Sequence, residues 1–305
     1  MTTLLSVELR RLLARRVVRF VAAAALFGML LAGLVLFLRS HRVGAGSEAE
    51  LAAQAQARYQ QELAACVARE SQATLPPGVT AEEFCKQVVA PPVTPNPAFP
   101  LVRYRDVAEG LSGLFVAIFV VLGATSAGAE WHAGTVTTQL TWEPRRIPML
   151  VAKIGAAAIL AFAGFWLLET LLFAVLAPAG LLRGTTAGVD AHWLRATAGA
   201  LARASAVAAM GGASGHALAW LARNTAVAVG VVLGYAAVVE PLLRAVRPRW
   251  EPWFLISNAI RFITASGVNL PGKTRSTAGA AVLLSIYTLG LVAVSVADFR
   301  RRDVA

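Results

Sequence analysis

The sequence predicts an all-α membrane protein with about six transmembrane helices. Of its 305 residues, 57% are hydrophobic and only 15% are charged, whereas soluble domains average about 45–50% apolar and about 25% charged residues. The apolar residues form long runs, and a helix needs roughly 20 of them to cross a hydrocarbon core of about 30 Å. The runs also lack the polar/apolar alternation of membrane barrels, so helices are the predicted spanning elements.

Six apolar runs reach or approach the length of a membrane span. They cover residues 20–38, 110–129, 150–177, 196–220, 226–243 and 278–296. We expect four regions: an amphipathic helix over 1–16, a first span over 17–38, an extracytoplasmic domain over 39–106, and a five-span bundle over 107–305. The fourth span is rich in alanine, glycine and serine, which allow close helix packing and indicate a helix inside the bundle.

The segment before the first span has the pattern of an interfacial helix. Four leucines fall on one helical face, and the arginines lie largely off that face: Leu5, Leu9, Leu12 and Leu13 against Arg10, Arg11 and Arg15. This pattern predicts a helix lying in the plane of the membrane. The alternative is a simple extension of the first span.

Basic residues beside the spans predict the orientation. Five arginines stand just before the first span, and basic residues flanking a span stay cytoplasmic. With six spans both termini are cytoplasmic, in a multi-pass protein of the bacterial cytoplasmic membrane. One region disagrees, because six basic residues then lie outside: Arg244, Arg247, Arg249, Arg261, Lys273 and Arg275. A re-entrant or interfacial helix near Trp250 and Trp253 is the interpretation we favour there.

Residues 39–106 are predicted to form a small extracytoplasmic helical hairpin. Thr80 and Glu83 have the spacing of a capping box, which opens the second helix. The chain has two cysteines, Cys66 and Cys85, one in each predicted helix. Outside the cytoplasm a disulfide between them is chemically reasonable. Two buried thiols are the alternative.

Several sites with recognisable chemistry are not predicted. The net charge of +11 is explained by interfacial arginines and anionic lipid rather than by nucleic acid. Residues 267–274, GVNLPGKT, match a phosphate-binding loop, but that loop needs a soluble α/β domain, and a membrane span follows instead. No two of the four histidines have a metal-binding i, i+4 spacing. We therefore expect no metal, no catalytic site and no nucleic-acid partner.

Charged residues within spans are the better functional candidates, because they are costly in a membrane and usually face a cavity or a partner. Glu169, Arg203 and Glu240 all fall towards the predicted outer side, where they are candidates for one polar cluster. Glu240 and Arg244 are spaced i, i+4, which predicts a local ion pair. The structural alternative is that these charges form packing pairs or lie at the headgroup boundary.

The loop between the second and third predicted spans, residues 130–153, carries the most informative motif. It reads EWHAGTVTTQLTWEPRRIPMLVAK and resembles the coupling loop of type-2 ATP-binding-cassette exporter permeases. The matching positions are Glu130, Gly134, Thr135, Pro144, Arg145, Arg146 and Lys153. The chain departs from the family pattern at Ala133, where a basic residue is common, and in its large first loop.

The resemblance implies a permease subunit that couples through this loop to separate ATPase subunits. It implies a second permease copy, identical or not, and export of a hydrophobic or amphipathic compound such as a drug, a natural product or a lipid. Mg-ATP would bind the partner ATPase, and this chain would carry no cofactor and no catalytic activity. Two other classes stay open: a membrane enzyme acting on a lipid-linked substrate, and a membrane sensor or assembly protein that uses the extracytoplasmic domain.

Overall fold

Helices form nearly all of the regular structure in the computed structural model, which describes residues 2–42, 45–70, 80–91, 98–265 and 275–301. Within those residues the one extended pairing is an isolated bridge between Pro100 and Thr185. The helices are α1 (Thr2–Ala14), α2 (Arg16–Arg39), α3 (Ala45–Glu70), α4 (Ala81–Val88), α5 (Tyr104–His132), α6 (Thr135–Trp142), α7 (Arg146–Arg183), α8 (Ala191–Ala222), α9 (Thr225–Gly234), α10 (Glu240–Val246), α11 (Leu255–Thr264) and α12 (Thr277–Arg301).

Three shorter helical turns connect these elements. A 3₁₀ turn at Leu101–Arg103 leads into α5, and another at Pro248–Trp253 leads into α11. A π-helical turn at Tyr235–Val239 joins α9 to α10, so α9, this turn and α10 form one continuous helix.

Five helical segments among the described residues are long and apolar enough to cross a membrane. They are Arg16–Arg39, Leu101–His132, Arg146–Arg183, Thr225–Val246 and Thr277–Arg301. The described part of the chain is therefore all-helical, and the length and composition of these five helices are those of a membrane protein.

The predicted fourth span forms α8, a 32-residue helix that is not among the five most apolar segments. Its buried positions are mostly small residues, and it packs chiefly against α5, with further contacts to α9, α11 and α12. Alanine, glycine and serine suit such an interior helix, since they permit close backbone approach at the expense of hydropathy. The count of six spans therefore stays a prediction.

Glycines make the contact between α5 and α8 unusually close. A Cβ added at Gly123 would overlap the backbone of Gly212, and one added at Gly215 would overlap the backbone of Val120. Around this contact lies a core built largely from alanines, together with Leu150 and a fully buried Trp220.

The chain divides into two compact units. The first contains Met1–Leu31, Arg103–Val175 and Gly188–Ala305, and the second contains Ala32–Val102 and Leu176–Ala187. The functional candidates other than the cysteines lie in the first unit.

In the second unit a disulfide joins Cys66 of α3 to Cys85 of α4, which agrees with the predicted pairing. The predicted capping box is confirmed, because Thr80 Oγ1 accepts from the Glu83 amide (3.2 Å) while the Glu83 side chain accepts from the Thr80 amide. A hydrogen bond from Lys86 (2.6 Å) lowers the pKa of the exposed Glu82 carboxyl and raises that of Lys86.

Candidate functional site

The loop over residues 130–153 consists of the end of α5, the short helix α6 and the start of α7. Gly134 has φ of 64°, a left-handed conformation that glycine adopts without strain, and it lets the chain reverse between α5 and α6. The Thr135 hydroxyl donates to the backbone carbonyl of Glu130 (3.3 Å). These two predicted residues therefore form the turn that begins α6.

The middle of the loop, from Trp142 to Arg145, is largely exposed and leads into α7. Pro144 and Arg145 are exposed, and the Arg145 side chain is 80% accessible. Arg146, the first residue of α7, lies with its guanidinium 6.0 Å from the centre of the Phe299 ring in α12. This cation–π contact ties the end of the loop to the helix bundle.

A buried network of charges joins both ends of the loop to α1. Lys153 is 2% exposed, and its Nζ lies 3.1 Å from Glu8 Oε1 and 2.8 Å from Glu130 Oε2. The Arg15 guanidinium lies 3.5 Å from Glu130 Oε1. We call Glu8, Arg15, Glu130 and Lys153 the Lys153 network.

The two carboxylates of the Lys153 network face the Lys153 ammonium and the Arg15 guanidinium, and Glu8 Oε1 also lies 3.1 Å from Nη1 of the exposed Arg11. A buried charge carries a large desolvation cost, and direct pairing is what offsets it. Removing a single member would take away one of the pairings that offset this cost. The network therefore fixes the relative positions of α1, α5 and α7.

Sequence reasoning assigned Glu130 and Lys153 to this loop but missed Glu8. The predicted apolar face of α1 is only partly buried, since Leu12 is 7% exposed and Leu13 is 52% exposed. Glu8 is 9% exposed, one turn before Leu12 on the buried face. A single carboxylate among the leucines of an arginine-rich helix was the available signal, and its partner stands 145 residues further along the chain.

The Lys153 network continues into the middle of the bundle. Arg15 donates to the backbone carbonyl of Ser126 (3.0 Å), and Ser126 Oγ lies 2.7 Å from Nδ1 of the buried His216. The His216 ring stacks on Trp220, which meets Phe299 edge to face at 5.1 Å. His216 is thus packed between α5 and the aromatic contacts that lead to α12.

Helix α6 presents a mostly exposed surface. Val136 is its one buried residue, at 1% exposure, whereas the Trp142 side chain is 87% exposed. A tryptophan side chain this exposed contributes little to the stability of the fold. Tryptophan is enriched both in protein interfaces and at the membrane–water boundary.

Glu240 caps the short helix α11. Its carboxylate accepts from the amides of Ile256 (2.8 Å) and Ser257 (2.9 Å), in the first turn of α11. The predicted ion pair is confirmed, since Arg244 lies 3.0 Å from Glu240. Phe254, at the N-cap position, makes no side-chain cap, so the fully buried Glu240 supplies the missing acceptor.

Arg203 binds the opposite end of α11. Its guanidinium donates to the Ile263 carbonyl (3.2 Å), and Arg105 donates to the Thr264 carbonyl (3.4 Å) while pairing with Glu109 at 2.7 Å. A negative charge at the start of a helix and a positive charge at its end both stabilise the helix, because they interact favourably with the partial charges of the helix dipole. Two of the three predicted intramembrane charges therefore hold one ten-residue helix from its two ends.

Glu169 has contacts separate from those of Arg203 and Glu240. Its carboxylate is fully buried and contacts Tyr104, whose hydroxyl donates to the Glu169 carbonyl at 2.8 Å and reaches Oε2 at 3.5 Å. No hydrogen bond or ion pair joins Glu169, Arg203 and Glu240 to one another within the described residues. The three charges thus occupy separate contacts, each with its own packing role.

In the described parts of the chain, no group of three or more histidine, cysteine or acidic side chains is placed to bind a metal ion. The GVNLPGKT motif, residues 267–274, lies outside the described residues. No protein-family model, curated protein or solved structure matches this chain.

Proposed function

We propose that this chain is the permease subunit of a type-2 ATP-binding-cassette exporter. It moves a hydrophobic or amphipathic compound across the bacterial cytoplasmic membrane, and a separate subunit hydrolyses Mg-ATP. A second permease copy completes the pathway, and transport proceeds by alternating access, in which ATP binding shifts the population between two states.

The Lys153 network is the observation that supports this proposal most. A permease without its own ATPase needs a rigid attachment that passes force from the partner to the bundle. Glu130 and Lys153 stand at the two ends of the loop, and the network fixes both of them to α1. Between them α6 exposes Trp142 on a short helix held by Val136, which suits a surface that docks on another subunit.

The proposed topology has six spans, with α8 as the fourth and both termini in the cytoplasm. It places the Lys153 network and α6 on the cytoplasmic side, where an ATPase is found. It places the Cys66–Cys85 disulfide outside, in the compartment where disulfides persist. The disulfide thus supports this orientation on grounds separate from the basic residues that first indicated it.

The docking surface is tested by purifying tagged protein from its native membrane in mild detergent and identifying co-purifying chains by mass spectrometry. We expect a stoichiometric ATPase in the wild type and its loss in Trp142→Ala. Trp142 is 87% exposed, so this change should leave the fold intact. The matched control is Trp250→Ala, at another exposed tryptophan (54%), which should retain the ATPase.

A chain that purifies without an ATPase in every preparation contradicts the proposal. Retention of the ATPase by Trp142→Ala, with loss in Trp250→Ala, would place the docking surface elsewhere and remove the role assigned to α6. The first result directs attention to the membrane-enzyme and sensor hypotheses.

A further inference from the structure

Helices α5, α8, α9, α11 and α12 surround an apolar groove of about 360 Å³. Its walls are almost wholly aliphatic, with Val120, Met210 and Leu284 as examples, and Tyr235 belongs to the π-helical turn. Apolar cavities of roughly 150 Å³ in other proteins stay dry and bind benzene. A groove more than twice that volume, within helices of membrane length, is suited to hydrocarbon rather than water.

The groove is elongated along the helices. On α8 its wall extends from Val207 to Leu218, and the eleven steps between these two residues span about 16 Å at about 1.5 Å per step. A slot of this length and volume matches a single hydrocarbon chain better than a compact ring system. The π-helical turn adds a residue to the helix that forms one side, a distortion frequent at binding sites.

One part of the groove wall leads directly to a cationic group. Leu255 and Ile256 line the groove, and the next residue, Ser257, accepts a hydrogen bond from Arg244 Nη2 (2.7 Å). That same nitrogen also binds Glu240 (3.0 Å). Among the described residues Nε and Nη1 of Arg244 have no hydrogen-bond partner, and the side chain is 44% exposed. Arg244 can therefore bind an anion through Nε or Nη1 while Nη2 keeps its contact to Glu240.

The charge distribution along the chain supports an anionic ligand at this place. On the proposed topology, Arg244, Arg247 and Arg249 lie on the outer side, against the usual preference of basic residues for the cytoplasm. The exporter function does not use these arginines. Anionic headgroups at the same membrane surface would attract them.

We propose that the groove binds an anionic phospholipid of the bilayer, with an acyl chain between the helices and its phosphate paired with Arg244. The apolar walls supply hydrophobic contact with the chain, and the guanidinium supplies charge-assisted hydrogen bonds to the phosphate. This lipid site depends on the groove and on Arg244, and it holds whether or not the chain exports anything.

The test is native mass spectrometry of the full chain, delipidated in detergent and titrated with phosphatidylglycerol or phosphatidylcholine of identical acyl chains. We expect wild type to retain phosphatidylglycerol at least tenfold more strongly, the size that one hydrogen bond to a charged group gives. Arg244→Gln should lose this preference and Arg244→Lys should keep most of it. The control is Arg195→Gln, at an exposed arginine that donates to its own helix, and it should change nothing.

A second pair of variants tests the groove without touching a charge. Gly113 lines the groove and Gly110 does not, and an added Cβ meets nothing within 4 Å at either position. Gly113→Leu should occupy the groove and weaken phosphatidylglycerol retention about tenfold, whereas Gly110→Leu should not. Equal retention of both lipids by wild type overturns the proposal, and so does unchanged retention in Gly113→Leu.

Discussion

Charges are buried in two regions of the first unit, and the two regions stabilise them in different ways. In the Lys153 network, side chains from three distant segments neutralise one another, and Lys153 is nearly inaccessible. At α11 the charges act on the backbone, since Glu240 binds two amides and Arg203 binds a carbonyl. The first arrangement fixes the relative positions of separate helices, and the second fixes the ends of one short helix.

This difference determines what the loss of one residue would do. Lys153 is almost inaccessible to water, so solvent can hardly replace it as the partner of Glu8 and Glu130. At α11 each end has more than one group in contact with it, and Arg244 is partly solvated. We therefore expect the first region to be the more sensitive to substitution.

The largest expected effect is that of Lys153→Met, which removes the buried cation between Glu8 and Glu130 and leaves them the more exposed Arg11 and Arg15 as partners. We expect a loss of about 3–5 kcal/mol in the free energy of unfolding, the range for breaking a buried ion pair. The measurement is denaturant titration in mixed micelles. Adding Glu8→Gln to Lys153→Met should recover part of the loss, because one of the two facing charges is gone. Purely additive losses would contradict a network.

At α11 the larger effect should come from Glu240→Gln. The neutral amide accepts hydrogen bonds less strongly than the carboxylate and no longer pairs with Arg244. We expect a loss of about 2 kcal/mol, typical of hydrogen bonds to a charged group. Faster amide exchange should be confined to the first turn of α11. If exchange accelerates instead throughout α8, then Glu240 supports the bundle rather than this helix.

The smallest expected effect is that of Arg15→Gln. Arg15 lies 3.5 Å from Glu130, and its side chain is 27% exposed, so water can partly replace it. We expect a loss of about 1 kcal/mol. The control is Arg16→Gln, at the neighbouring exposed arginine, which should be neutral. A loss as large as that of Lys153→Met would mean that both cations are needed to balance the two carboxylates.

The same contrast explains how much could be predicted from the sequence. Local relations were predictable: the Glu240–Arg244 pair is spaced i, i+4, the Thr80 capping box spans three residues, and the helix lengths follow from the apolar runs. The partner of Glu240 at α11 was not predicted, because a carboxylate that caps a later helix leaves no periodic signal.

Contacts between residues far apart in the sequence could not be predicted from it, for a physical reason. Glu8 and Lys153 lie 145 positions apart, and only the packing of α1 against α7 brings them together. The exposure of Trp142 depended similarly on which face of α6 Val136 buries. Sequence patterns located the loop 130–153, and tertiary contacts determined which of its residues are buried and which are accessible.

The glycine contact between α5 and α8 has a mechanical consequence. Because the backbone at Gly123 touches that of Gly212, and Gly215 touches Val120, a slide of either helix by one residue would force a side chain into a place with no room for it. Axial displacement between α5 and α8 is therefore blocked. We expect the two helices to move together, so that a displacement imposed at the end of α5 is transmitted to the far end of α8.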